Sequence, residues 1–128
     1  VKTDESDFLL FQKECWKWIN YFGLKNWEWN FTHEENTAFA TYWVSVTDRA
    51  CTINLNTEFD DEGVKMQSGK EAVIKSSAFH EVMEILLAKL GCLVLPSPAN
   101  PNPQSDVRGA THEIIRIFEN TIYKDLKL

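Results

Sequence analysis

Hydrophobic positions change period several times along this chain, and the changes divide it into helices and strands. From about Ser6 to Phe22, the residues Phe8, Leu9, Phe11, Cys15, Trp16, Ile19 and Phe22 recur at helical spacings. Gly23 follows as a natural stop. Trp27-Glu28-Trp29-Asn30-Phe31-Thr32 then alternates large apolar with polar side chains, the period of a half-buried strand. Glu34-Glu35-Asn36 reads as a turn, and Ala38 to Val46, rich in aromatic and β-branched residues, as a second strand. Asp48-Arg49 turns the chain again before a third strand, Cys51-Thr52-Ile53-Asn54-Leu55-Asn56. These three segments predict an antiparallel meander.

Asp60-Asp61-Glu62-Gly63 reads as a loop or irregular link. A helix is expected from about Gly69 to Leu90, ending near Gly91. The Pro-rich stretch from Leu95 to Ser105 is incompatible with a helix or a central strand and is expected as a loop. A final helix is expected from about Arg108 to Lys124. On it His112, Arg116, Glu119 and Tyr123 share a strip roughly 60° wide at about 100° per residue. Ile114, Ile117, Phe118 and Thr121 take the opposite, buried side, with Ile115 and Ile122 at its flank. The order is α-β-β-β-α-α, an α+β fold in a single domain over residues 1–128.

Composition narrows the setting. Hydrophobic residues make up 44% and charged residues 25%, as in soluble globular proteins, and five Trp with eight Phe can supply a core. No apolar run approaches the roughly 20 residues of a membrane span, so no membrane association is expected. A net charge of −6 argues against a general nucleic-acid binder. The opening residues Val1 to Asp7 do not resemble a secretion signal. Cys15, Cys51 and Cys92 are odd in number and far apart, so reduced thiols in a cytoplasm are expected.

The chemistry concentrates at Phe79-His80-Glu81-Val82-Met83-Glu84, an H-E-x-x-E string within an apolar run. His80 and Glu84 lie roughly 40° apart, one turn along the same helix face. Both side chains bind divalent metals. A second pair, His112-Glu113, opens the final helix and offers a third ligand, with Glu119 as the substitute. One zinc ion per chain, held by His80, Glu84 and His112, is the expected cofactor. Such an ion acidifies water toward ~7. Glu81 is directed away from the ligand face and is expected to take the water's proton as general base. Arg116 and Tyr123 are the further catalytic candidates, stabilising an oxyanion or orienting Glu84 or Glu119. The third strand could present its edge to an extended peptide. His33 is expected as an exposed loop histidine, and Trp43 as a core or sheet-face residue.

The segment Cys51 to Leu55 followed by a helix bearing His80-Glu81-Val82-Met83-Glu84 resembles the zincin metallopeptidases. Among these it is most similar to small phage-encoded domains of the minimal gluzincin type. The resemblance covers roughly Trp27 to Leu126, and the motif helix is its specific part. It implies a three-stranded sheet, a motif helix and a later helix giving the third ligand. It implies zinc at His80, Glu84 and His112, Glu81 as general base, and a peptide or protein substrate. The departure is Glu84, which stands where the family has a second His. A carboxylate also binds zinc, but ligand charge and metal preference change. The competing expectation is therefore a catalytically inactive zincin-like interaction protein that occupies a host protein, in the host cytoplasm if the chain is viral. An acidic mimic of nucleic acid is the weaker third reading, because the positive residues are scattered among the negative ones. Oligomeric state is left open.

Overall fold

The chain enters its first helix through a reciprocal cap. In the computed structural model, which describes residues 1–93 and 96–126, α1 spans Glu5–Tyr21. The Asp4 carboxylate accepts from the Asp7 N–H at 2.9 Å, and the Asp7 carboxylate accepts from the Asp4 N–H at 2.9 Å. Two amides near the helix start are satisfied in this way. At the far end Gly23 has a φ of 71°, and the Leu24 N–H reaches back to the Ile19 carbonyl at 2.9 Å. A left-handed residue after the last turn favours glycine, as the sequence pattern predicts.

Strands β1 (Glu28–His33), β2 (Ala40–Ser45) and β3 (Ala50–Leu55) form one sheet in the order β1-β3-β2. β2 and β3 pair antiparallel with Tyr42 opposite Ile53, whereas β1 and β3 pair parallel with Phe31 opposite Ile53. The expected antiparallel meander is thus corrected to a mixed sheet with the third strand in the middle. Two features favour that order. β3 carries the cleanest buried alternation, Cys51, Ile53 and Leu55 being fully buried, and the central position covers that face best. The β1–β2 connection, residues 34–39, crosses the end of β3 and is pinned there by side chains. The Asn54 side-chain oxygen Oδ1 accepts from the Thr32 hydroxyl at 2.8 Å and the Glu34 N–H at 2.9 Å. The Asn56 amide donates to the Asn36 and Ala38 carbonyls at 2.7 and 2.8 Å and accepts from the Asn36 and Glu58 N–H groups at 3.1 and 3.2 Å. Both edges of β3 are consequently paired, and an outer edge expected for it belongs to β2. His33 is not an exposed loop residue. It ends β1, stacks on Phe8 with ring centroids 5.0 Å apart, and its Nε2 lies 2.7 Å from the Thr3 hydroxyl.

Where a loop was expected after Phe59, Asp60 caps a short helix, α2 (Asp61–Met66), by accepting from the Gly63 N–H at 3.0 Å. The motif helix is α3 (Lys70–Cys92). It starts at Gly69, whose φ of 114° is a conformation L side chains rarely adopt. α3 runs parallel to α1. At one end the Lys70 ammonium meets the Asp7 carboxylate at 2.7 Å, and further along the Phe79 ring meets Trp18 edge-on at 4.7 Å. Phe11, Cys15, Trp18 and Ile19 of α1 and Val73, Ile74, Phe79, Val82 and Met83 of α3 make the core with the inner face of β3. Fully burying each large side chain contributes about 1.5–3 kcal/mol before entropy costs. α3 is buried on nearly every side, which is why its acidic residues Glu81 and Glu84 are withdrawn from water with the apolar ones.

Helix α4 (Pro103–Phe118) starts more than a turn before the expected Arg108. Pro103 occupies its first turn, where a missing N–H leaves no intrahelical bond unmade. The Pro-rich loop is shorter than expected for this reason, and its first expected residue, Leu95, lies outside the described residues. α4 continues through a π-helical turn, Glu119–Tyr123, into α5 (Lys124–Leu126). Its buried side differs from the expected one. Ile115 is fully buried and Ile117 is 54% exposed, because α3 covers the side that Ile115 shares with Ile122. Among the described residues no helix is long and apolar enough to cross a membrane.

Candidate metal centre

α3 and α4 pack side by side and antiparallel, and that pairing decides which polar side chains meet. His80 and Glu84 lie one turn apart on the same face of α3. Opposite them stand Glu119, which opens the π turn, and His112 on α4. His112 Nε2 lies 3.3 Å from Glu84 Oε1, and His80 Nδ1 lies 3.8 Å from Glu119 Oε2. One ligand atom from each of His80, Glu84 and His112 falls within 4.8 Å of the others. Donors sharing one tetrahedral zinc sit about 3.4 Å apart by the usual bond lengths, so a modest contraction suffices. The structure therefore brings together the three residues singled out as ligands. Glu119 faces His80 on its Nδ1 side, the place of a carboxylate that orients an imidazole whose other nitrogen is a ligand.

The residues present fit such an ion. Glu84 is 5% exposed and Glu81 is 7% exposed. Glu84 Oε1 and Glu81 Oε2 are buried without a hydrogen-bond donor among the described residues. Leaving buried carboxylate oxygens unpaired is costly, and a cation is one means of satisfying them. Two imidazoles and one carboxylate are also a known donor set of catalytic zinc.

The electrostatics follow from burial and crowding. Burial pushes the Glu81 carboxyl up to about 7; the neighbouring charge on Glu84 adds to this and His80 opposes it. His80 is held above its ordinary value chiefly by the Glu119 carboxylate 3.8 Å from its Nδ1, against the effect of burial. Tyr42 of β2 also faces the cluster. Burial, then the nearby Glu84 carboxylate, push this phenol up to about 12. It stays protonated, a donor, through the neutral range.

Three cavities adjoin these groups. One lies over the cluster, lined by β2 residues 40–44 together with His80, Glu81, Glu84, Arg108 and His112. A second reaches His80, Glu81 and Glu119 from the side of Phe39. The third runs along the α3–α4 seam and includes Tyr42, Glu84 and Arg108. Of the two places expected for Trp43, core or sheet face, it takes the sheet face, in β2. It is 61% exposed on the rim of the cavity over the cluster.

Arg116 and Tyr123 lie elsewhere. Arg116 is exposed and lines none of these three cavities. It sits at the edge of the expected strip farthest from the buried Ile115 side. Tyr123 packs its ring against Phe79 at 5.1 Å and Trp18 at 5.9 Å. The π turn, with its wider i→i+5 bonding, rotates Tyr123 out of the strip and toward the core. Two site residues escaped the sequence reading. Arg108 had a usable signal, since it stands one turn before His112. Tyr42 had none, because its position depends on the strand order. No protein-family model, curated protein or solved structure matches the chain.

Proposed function

We propose that this chain is a metal-dependent hydrolase of the peptidase type that holds one zinc ion between His80, Glu84 and His112. The observation that carries the reading is Glu84 Oε1, buried, without a donor, and 3.3 Å from one of two imidazoles. When bound, such an ion supplies Lewis acidity at a scissile carbonyl and lowers the pKa of water toward ~7. Glu119 holds the His80 ring in orientation. Glu81, beside the ligand set and lining the cavity over it, accepts the proton of the attacking water at its carboxylate and delivers it to the leaving amine. The protonated Tyr42 phenol on the same cavity wall donates to the oxyanion that develops. An extended substrate backbone lies along β2, whose residues 40–44 form one wall of that cavity. A reducing, cytoplasmic setting is supported by three unpaired cysteines, Cys15, Cys51 and Cys92.

A second reading has one observation in its favour. His112 with Glu84 and His80 with Glu119 are His–carboxylate pairs, able to staple α3 to α4 without an ion. In that reading the domain is a catalytically inert zincin-like protein that binds a host protein. Glu81→Gln separates the two. The hydrolase reading predicts that the variant keeps its zinc and loses hydrolysis by about 10²–10⁴-fold. Wild-type protein that carries zinc yet cleaves nothing in a broad peptide library supports the inert reading. Full hydrolysis by Glu81→Gln removes the role given to Glu81.

A further inference from the structure

The cavity along the α3–α4 seam has a chemistry that the hydrolase mechanism leaves unused, and its assignment as a subsite rests on the hydrolase reading. Its volume is about 340 Å³, at the small end of ligand pockets and suited to one side chain. It begins at the cluster, because Tyr42, Glu84 and Arg108 line both this cavity and the one over the ligands. From there Leu87 and Ala88 of α3 and Val107 of α4 give it apolar walls. Arg108 is the one Lys or Arg on either lining. The chain has 19 acidic and 13 basic residues, yet Arg108 makes no salt bridge among the described residues.

We propose that this seam cavity is a substrate subsite for a carboxylate, with Arg108 as the specificity-determining residue. A guanidinium holds a carboxylate through two parallel hydrogen bonds, a geometry that an ammonium does not reproduce. Glu84 is the one Asp or Glu on the lining of this cavity and Arg108 the one cation, so the arginine is the side chain there that offers an anionic group an opposite charge. The apolar walls take the methylenes that carry the carboxylate. That carboxylate is either an acidic side chain next to the scissile bond or the free C-terminus of the substrate.

Three N-acetylated peptides test this: Ala-Leu-Glu amide, Ala-Leu-Gln amide and Ala-Leu-Gln with a free C-terminus. Their binding to the full chain is measured by calorimetry, with zinc loaded and with zinc removed. The expected result is that one carboxylate peptide binds roughly tenfold or more tighter than the neutral amide. Preference for the Glu amide assigns an acidic side chain, and preference for the free acid assigns the terminus. Arg108→Gln abolishes the preference, and Arg108→Lys restores only part of it. Equal binding of all three peptides, no binding of any, or an undiminished preference in a folded Arg108→Gln protein overturns the subsite. Binding is scored without turnover, so the two readings fail separately. A chain that prefers carboxylates but cleaves nothing contradicts the hydrolase alone, whereas one that cleaves acidic and neutral peptides alike contradicts the subsite.

Discussion

Asn56, at the end of β3, and Glu84, in the α3–α4 seam, are 4% and 5% exposed. Their surroundings differ in kind. The Asn56 amide takes part in four hydrogen bonds, all to main-chain groups of residues 36, 38 and 58. Glu84 keeps Oε1 without a donor, and Glu81, one turn away, keeps Oε2 in the same condition. A polar group buried to hold a fold is saturated by the protein itself. In the proposed function Glu84 and Glu81 keep that bonding capacity for an ion and a water that the protein does not itself supply. The first region sets which strand is central, and thereby puts β2 over the second.

The largest effect that separates the two regions is on stability. Asn56→Ala removes four hydrogen bonds and frees the β1–β2 connection, so a loss of about 4 kcal/mol is expected in urea denaturation. A loss under about 1 kcal/mol would mean that the connection is held by other contacts. The Glu81 carboxyl gives a smaller effect of a different shape. In metal-free protein its folded pKa, about 7, lies above the usual 4.5. The folded state then binds the proton more tightly than the unfolded one, so stability falls as pH rises through that window. The expected loss is roughly 2 kcal/mol between about pH 5 and about pH 7. Glu81→Gln flattens that slope. A wild-type stability that rises over the same range would contradict the burial assigned to Glu81.

How far the sequence could be read depends on the reach of each signal. α1 and its stop are legible because helical period and a C-terminal glycine are local. The strands fall within two or three residues of their expected bounds for the same reason. The strand order is not legible, since it turns on Asn54 and Asn56 gripping residues more than a dozen positions earlier in the chain. The meeting of His80 and Glu84 with His112 needs only one helix face and an antiparallel neighbour. The expected strip on α4 runs too far. It assumes an unbroken α-helical phase, and the π turn at Glu119 carries Tyr123 into the aromatic core. Ile115 and Ile117 exchange their expected burial because helical arithmetic gives relative angles and leaves open the direction of the neighbour. Tyr42 reaches the site through tertiary structure alone.

The central claim is that His80, Glu84 and His112 hold one ion in common. Its most direct test is the zinc content of protein purified without added metal and dialysed exhaustively, measured by elemental analysis. About one zinc per chain in the wild type, and almost none in folded His80→Ala and His112→Ala variants, is the predicted result. Metal-free wild type that takes up no zinc on titration, or full zinc retained after both imidazoles are removed, would contradict it.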